Sequence, residues 1–213
     1  MVRLISLDAP DVVALQEVPL WALGLLKRWS GMQVVWAVTV PSFVGPIARL
    51  VTDLDPVRVR FALAGQANAL LVNPHFELAG HKVLVLNPEV SRLDWIRHGR
   101  QRRVCQAVDL RAGEREFVVA NLHATNNPKE AAVEVGVAAE FVAPAQRCIL
   151  CGDFNVPRFA VPGFSPSIDG IDQILVRGLT IERGPEAWPA ERRRVGDLLL
   201  SDHPPIEVVL SWN

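Results

Sequence analysis

Short apolar runs separated by polar punctuation dominate the chain. DVVALQEV (11–18), MQVVWAV (32–38), NALLV (68–72), KVLVL (82–86), RVCQAVDL (103–110), REFVVANLH (115–123), RCILC (147–151), IDQILV (171–176) and IEVVLSW (206–212) have the length and β-branched content of strands. Several are apolar at every position, which predicts central strands covered on both faces. Two segments carry helical spacing instead. LWALGLLKRWSG (20–31) ends on Gly31 as a stop, and PKEAAVEVGVAAEFV (128–142) opens on Pro128 with Lys129 and Glu130 in its first turn. The opening RLISLDAP resembles the last turns of a further helix. Many strands and few helices predict an α+β or α/β layered sandwich.

Composition narrows the class. The 213 residues are 50% apolar, enough for one domain with a full core over 1–213. The net charge of −1 excludes a strongly basic nucleic-acid binder and an acidic solvating tail. Two local basic clusters, RHGRQRR (97–103) and RRR (192–194), read either as solvated loops or as a rim that attracts a polyanion. Cys105, Cys148 and Cys151 form no disulfide framework, and the CxxC at 148–151 falls inside a predicted strand, so buried thiols in a reducing compartment are expected. The N-terminus lacks the apolar segment of a signal peptide. The longest uncharged stretch, 33–48, carries two prolines and is too short for a membrane span. A soluble cytoplasmic protein is the expectation, and no oligomeric state is specified.

Chemistry concentrates at strand ends. RCILCGDFNV runs directly into Gly152, Asp153 and Asn155. A carboxylate leaving a buried strand needs a partner or a cation. Taken alone, GDFN is equally a turn closed by an Asx hydrogen bond. The same design recurs, however. VVALQEV places Glu17 at the end of an apolar strand, FVVANLHAT places Asn121 and His123 two apart, IDQILV begins on Asp172 after one residue, and LLLSDHPP joins Asp202 to His203 ahead of two prolines. Acids, a carboxamide and two histidines converging on one edge form a set suited to a hard divalent cation and a phosphate.

These blocks, in this order, resemble the endonuclease/exonuclease/phosphatase superfamily, of deoxyribonuclease I-like and exonuclease III-like type. The matching segments are DVVALQEV, GQANALLV, NLHAT, ILCGDFNV, GIDQILV and LSDHPP. The resemblance implies a four-layer α/β/β/α sandwich. It also implies Glu17 as principal Mg²⁺ ligand (Mn²⁺ as substitute), with Asp202 near the metal or paired with a histidine. Asp153 would orient or deprotonate the attacking water, and Asn155 would hold that water or a phosphate oxygen. His123 would contact the phosphate or protonate the leaving oxygen with Asn121 beside it, Asp172 would orient a histidine, and His203 would bind the scissile phosphate. An acid–histidine pairing is expected to keep imidazole cationic near neutrality. Asn68 reads as substrate-binding beside the site or as a strand-start hydrogen bonder. His75, His81 and His98 read as surface residues.

The function this implies is a Mg²⁺-dependent phosphoesterase cleaving a phosphodiester, with DNA or RNA as substrate. Phosphomonoester, phosphoinositide or sphingomyelin hydrolysis on the same fold is the alternative, and a non-catalytic binding scaffold is the reading from another class. The family's first strand, ending in Trp-Asn, has no counterpart ahead of DVVALQEV. The final VVLSWN reads as an ordinary last strand, or as one whose Asn213 stands in for that asparagine.

Overall fold

The computed structural model describes residues 1–42, 65–91 and 101–213. His98 and the first residues of the 97–103 cluster lie outside them. In chain order the elements are α1 (Val2–Ser6), β1 (Val12–Pro19), α2 (Leu20–Ser30), β2 (Gln33–Val40), β3 (Gln66–Val72), β4 (Glu77–Val85), β5 (Val104–Ala112), β6 (Arg115–His123), α3 (Pro128–Phe141), β7 (Cys148–Asp153), β8 (Asp172–Arg177), β9 (Leu179–Ala187), a 3₁₀ turn (Ala190–Arg193), a short hairpin β10–β11 (Arg194–Val195, Leu198–Leu199) and β12 (Ile206–Trp212).

Both expected long helices form, for the local reasons anticipated. Gly31 closes α2 in the left-handed region at φ 73°, its N–H donating to the Lys27 carbonyl. The Asn127 side chain caps α3 by accepting from the Lys129 amide, with Pro128 in the first turn. Two strands depart from expectation. β4 starts at Glu77, five residues before KVLVL, because its exposed outer half is polar. β9 was not anticipated: LTIERGPEA is too polar to read as a strand, and it forms by pairing with β12.

The strands build two facing layers. One is the five-stranded sheet β4-β5-β6-β7-β8, antiparallel except for the β6–β7 pair, which α3 connects as a crossover. Facing it are β1-β3-β2 and the separate pair β12-β9. Three apolar clusters mark the three interfaces. Ala131, Val135 and Ala138 of α3 pack on Leu122, Cys148 and Leu150, while Leu23 and Leu26 of α2 pack on Val13, Ala69 and Leu71. Between the sheets lie Leu70, Val72, Val108, Val119 and Cys151. Helix, sheet, sheet and helix form the four-layer α+β sandwich. Burial pushes the Cys148 and Cys151 thiols up to about 12, so both behave as small core residues. Among the described residues no helix is long and apolar enough to cross a membrane.

Candidate active site

Strand register, more than any loop, assembles the polar cluster. His123 lies opposite Asp153 across the parallel β6–β7 ladder, and Asp153 lies opposite Asp172 across β7–β8. Three of the anticipated residues therefore form one row over the ends of three neighbouring strands. His203, from the loop ahead of β12, closes the row through Nδ1 at 2.8 Å from Asp172 Oδ2. Glu17 comes from the opposite layer, its Oε1 4.0 Å from His123 Nδ1.

A β-bulge delivers Glu17. Leu15 lies opposite Ala69 and Val18 opposite Ala67, so Gln16 and Glu17 together face the single residue Asn68. On a regular strand successive side chains point to opposite faces. Here both reach the second sheet: Gln16 Nε2 donates to Asn121 Oδ1 at 2.7 Å, and Glu17 approaches His123. Glu17 holds φ 56°, a left-handed conformation uncommon for a residue with a side chain.

The GDFN segment uses each residue differently. Gly152 sits at φ 131°, where an added Cβ would lie 1.9 Å from the Leu122 carbonyl oxygen. Phe154 is fully buried and anchors the turn in the α3-side core. The strand stops at Asp153, so Asp153 and Asn155 do not share a strand face. They meet through an Asx turn in which the Asn155 amide donates to Asp153 Oδ1 at 3.0 Å. The Asn155 side chain, at φ 51°, donates to the Ala124 carbonyl at 2.9 Å.

The charges follow from these surroundings. Burial pushes Asp153 up to about 6; the Asp172 carboxylate adds to this, against the Asn155 amide and the His203 and Arg103 charges. Asp172 is also raised, first by burial. Burial pulls the His203 imidazole down, but the charge and hydrogen bond of Asp172, with Asp153 and Asp202 behind it, outweigh that and raise it overall. His123 goes the other way: burial, then the Arg103 and His203 charges, hold it down at about 3. The expected cationic imidazole is therefore His203 alone. His123 is neutral at pH 7, because it is buried and its Asp153 and Glu17 neighbours stand back at 3.6 and 4.0 Å.

Other anticipated residues lie apart from this row. Asn121 is fully buried between the sheets, its amide donating to the Leu15 and Ala69 carbonyls at 3.0 and 3.1 Å. Asn68 is buried beneath the bulge and donates to the Val104 carbonyl. Both staple sheet to sheet under the site. Asp202 is exposed and accepts from the His203 amide at 3.2 Å; the carboxylate that pairs with His203 is Asp172. Asn213 cannot stand near Glu17. It follows Trp212, which packs on Phe117 at the opposite end of the sheets, about 20 Å along β12 at the rise of a strand.

Arg103 was read only as part of a basic cluster. It is buried, reaches Asn126 Oδ1 at 3.5 Å, and its charge bears on His123 and Asp153. Its place one residue ahead of β5, level with the end of β6, was the available signal. In the other cluster Arg192 is a brace: it bonds Asp8 and Glu207 at 2.6 and 3.1 Å and stacks on Trp188, 3.7 Å from the ring centroid.

As a donor set for a cation, ligand atoms of Asp153, Asp172 and His203 all fall within 4.8 Å of one another. His203 Nδ1 and Asp172 Oδ2 already engage each other, which leaves carboxylate oxygens, and Glu17 stands 4.0 Å from the neighbouring His123. Closely spaced, half-desolvated acids, with Asp172 raising Asp153, fit a hard, oxygen-preferring divalent cation.

Comparison with known proteins places these features. A sequence-family model described as the Endonuclease/Exonuclease/phosphatase family matches residues 1–203. A search of curated proteins finds no match. Among solved structures, a functionally unknown conserved protein from Enterococcus faecalis aligns at TM-score 0.69 and 16% identity, over 99% of this chain and 89% of that one. Humanized D. rerio TDP2 aligns at 0.69 and 14% identity, over 99% and 91%. A Bacteroides thetaiotaomicron mannosyl-6-phosphatase aligns at 0.66 and 18% identity, over 99% and 90%.

Proposed function

The chain belongs to the endonuclease/exonuclease/phosphatase family, whose members hydrolyse phosphate esters, and on that premise we propose that it is a Mg²⁺-dependent phosphodiesterase acting on nucleic acid by in-line attack of water. The observation that carries this reading is the His123–Asp153–Asp172 row closed by His203 and faced by Glu17.

Each group has a task suited to its state. Asp153, near 6 and fixed through Oδ1 by the Asn155 amide, is a carboxylate that accepts the proton of the attacking water. His203, raised by Asp172 and bonded to it through Nδ1, keeps Nε2–H free to donate to a phosphoryl or leaving oxygen. Neutral His123 stands between Asp153 and Glu17 as an uncharged group that can hydrogen-bond a phosphate oxygen. Asn155 holds the loop, and Arg103 behind the row offsets part of its negative charge. Glu17 is the residue that would hold Mg²⁺ or Mn²⁺, with Asp202 outside that set. When bound, the ion supplies positive charge to the non-bridging phosphate oxygens.

Release of p-nitrophenol from bis-p-nitrophenyl phosphate is expected with Mg²⁺ or Mn²⁺, to be lost with EDTA, and to fall at least ~10²-fold in Glu17→Gln. Metal-independent release, or full activity in that variant, contradicts the reading. A parallel set of DNA, RNA, inositol phosphate, sphingomyelin and mannose 6-phosphate separates diester from monoester chemistry. The alignment with a mannosyl-6-phosphatase is the reason to include the last.

A further inference from the structure

One buried acid has no part in the row. α3 turns a single stripe to the core, made of Ala131, Glu134, Val135 and Ala138. Their spacing puts all four on one helix face. Three are small or branched apolar residues, as packing on β6 and β7 requires, and the fourth is a glutamate only 4% exposed. A carboxylate there loses its hydration, and burial raises Glu134 against the pull of the Thr125 amide and the Arg103 charge. Leucine would fill the stripe without that cost.

What Glu134 touches accounts for it. Its Oε2 accepts from the Thr125 amide at 2.6 Å. Thr125 lies in the segment 124–127, which follows His123 out of β6 and has no ladder of its own before α3 begins at Pro128. Side chains and the GDFN turn hold it instead. The Ala124 amide donates to the Asp153 carbonyl at 2.9 Å, and the Ala124 carbonyl accepts from the Asn155 side chain. Asn126 Oδ1 faces Asn155 Nδ2 at 3.4 Å and Arg103 Nη2 at 3.5 Å. Arg103 is anchored in turn, its amide donating to Asn87 Oδ1 at 2.7 Å. Two buried charges of opposite sign therefore grip adjacent residues, Glu134 on Thr125 and Arg103 on Asn126. Burial lowers Arg103, and Glu134 leads the acids that oppose this, ahead of Glu17 and Asp153.

We propose that Glu134 is a positioning residue of the site: from the core face of α3 it holds the Thr125 amide, and so fixes the main chain that carries His123 beside Asp153. It touches neither substrate nor reacting atoms and acts through that segment. The GDFN turn ties Ala124 from the β7 side, and Glu134 ties the next residue from the α3 side. Without its oxygen the Thr125 amide needs a new acceptor, and the segment has to shift to find one. A misplacement of about 1 Å costs on the order of 10²-fold in rate. The expected loss here is smaller, because Ala124 stays tied to β7.

Two substitutions separate the bond from the packing. Glu134→Gln keeps the length and an oxygen acceptor, while Glu134→Leu keeps the bulk and loses the acceptor. Ala138→Gly, one turn further along the stripe, loosens α3 without removing a bond to the segment. The first readout is the NMR signals of the Thr125 amide and the His123 imidazole in the whole chain. It needs no phosphate ester, so it decides the proposal whether or not the chain proves to be a phosphoesterase. Both signals are expected to move in Glu134→Leu and to stay near their original positions in Glu134→Gln and Ala138→Gly. The second readout rests on the proposed function. In metal-dependent hydrolysis of bis-p-nitrophenyl phosphate, Glu134→Leu is expected to lower kcat about tenfold with KM within about twofold, and Glu134→Gln to keep kcat within about threefold. Unmoved His123 signals in Glu134→Leu would overturn the proposal. So would a Glu134→Gln variant as impaired as Glu134→Leu, or a loss of kcat that Ala138→Gly reproduces at equal stability in urea. The unsubstituted chain supplies a test that no folding failure can remove: a Thr125 amide exchanging with solvent as fast as in an unstructured peptide would overturn it outright.

Discussion

At the scale of single residues, the site works by driving like groups apart. Two histidines about one carboxylate row end in opposite states, because burial and then the Arg103 and His203 charges hold His123 down, while Asp172 raises the half-exposed His203. Activity is therefore expected to be bell-shaped in pH. It rises as Asp153 loses its proton near 6 and falls as pH climbs through the raised pKa of His203, above which the imidazole can no longer donate. In Asp172→Asn the charge that raises His203 is gone, so the alkaline limb should move to lower pH in a kcat/KM profile. An unmoved limb would detach His203 from it. His203→Ala should lower turnover at least ~10²-fold with unchanged circular dichroism and Tm, as the side chain is 45% exposed and supports no core.

At the scale of elements, local devices set where those residues stand. Gly152 lets β7 cross close to the Leu122 carbonyl, so Gly152→Ala is expected to destabilise by more than ~4 kcal/mol or to prevent folding, as read by soluble yield and urea denaturation. Asn121 ties the β1 bulge to β6 through Leu15, Gln16 and Ala69. Asn121→Ala should cost about 2 kcal/mol in urea unfolding, since buried partners lose their hydrogen bonds. A variant of unchanged stability but lost activity would instead make Asn121 a substrate contact. Arg192, with Trp188 and Glu207, braces the segment that leads to His203, in a stretch whose charges read as a solvated loop or a polyanion-attracting rim.

At the scale of the whole molecule, function is held against stability. Asp153 is buried beside Asp172 and raised from the ordinary carboxylate range to about 6, so at pH 7 the folded state carries a carboxylate whose charge costs more than it does in the unfolded chain. By linkage that penalty is absent below the unfolded pKa and complete above about 6. Asp153→Asn is thus expected to raise Tm at pH 7 and to leave it little changed at pH 3, while abolishing hydrolysis. A lower Tm at pH 7 would show that the carboxylate stabilises the fold. The two-layer design makes the arrangement workable: one sheet supplies the row, the other supplies Glu17, and neither carries the whole cluster.

Period and punctuation in the sequence were enough for nine strand cores, both long helices, the layered class and the strand-end clusters. These depend on local chemistry: apolar runs, a proline and asparagine opening α3, a glycine closing α2. Only the folded chain decided which polar residues met. Glu17 reaches the second sheet through a bulge that strand alternation does not foretell. Asn121 shares a face with His123 yet turns to staple the sheets, and Arg103 becomes a buried charge. β9 exists because β12 offers it hydrogen bonds, not because LTIERGPEA asks for them.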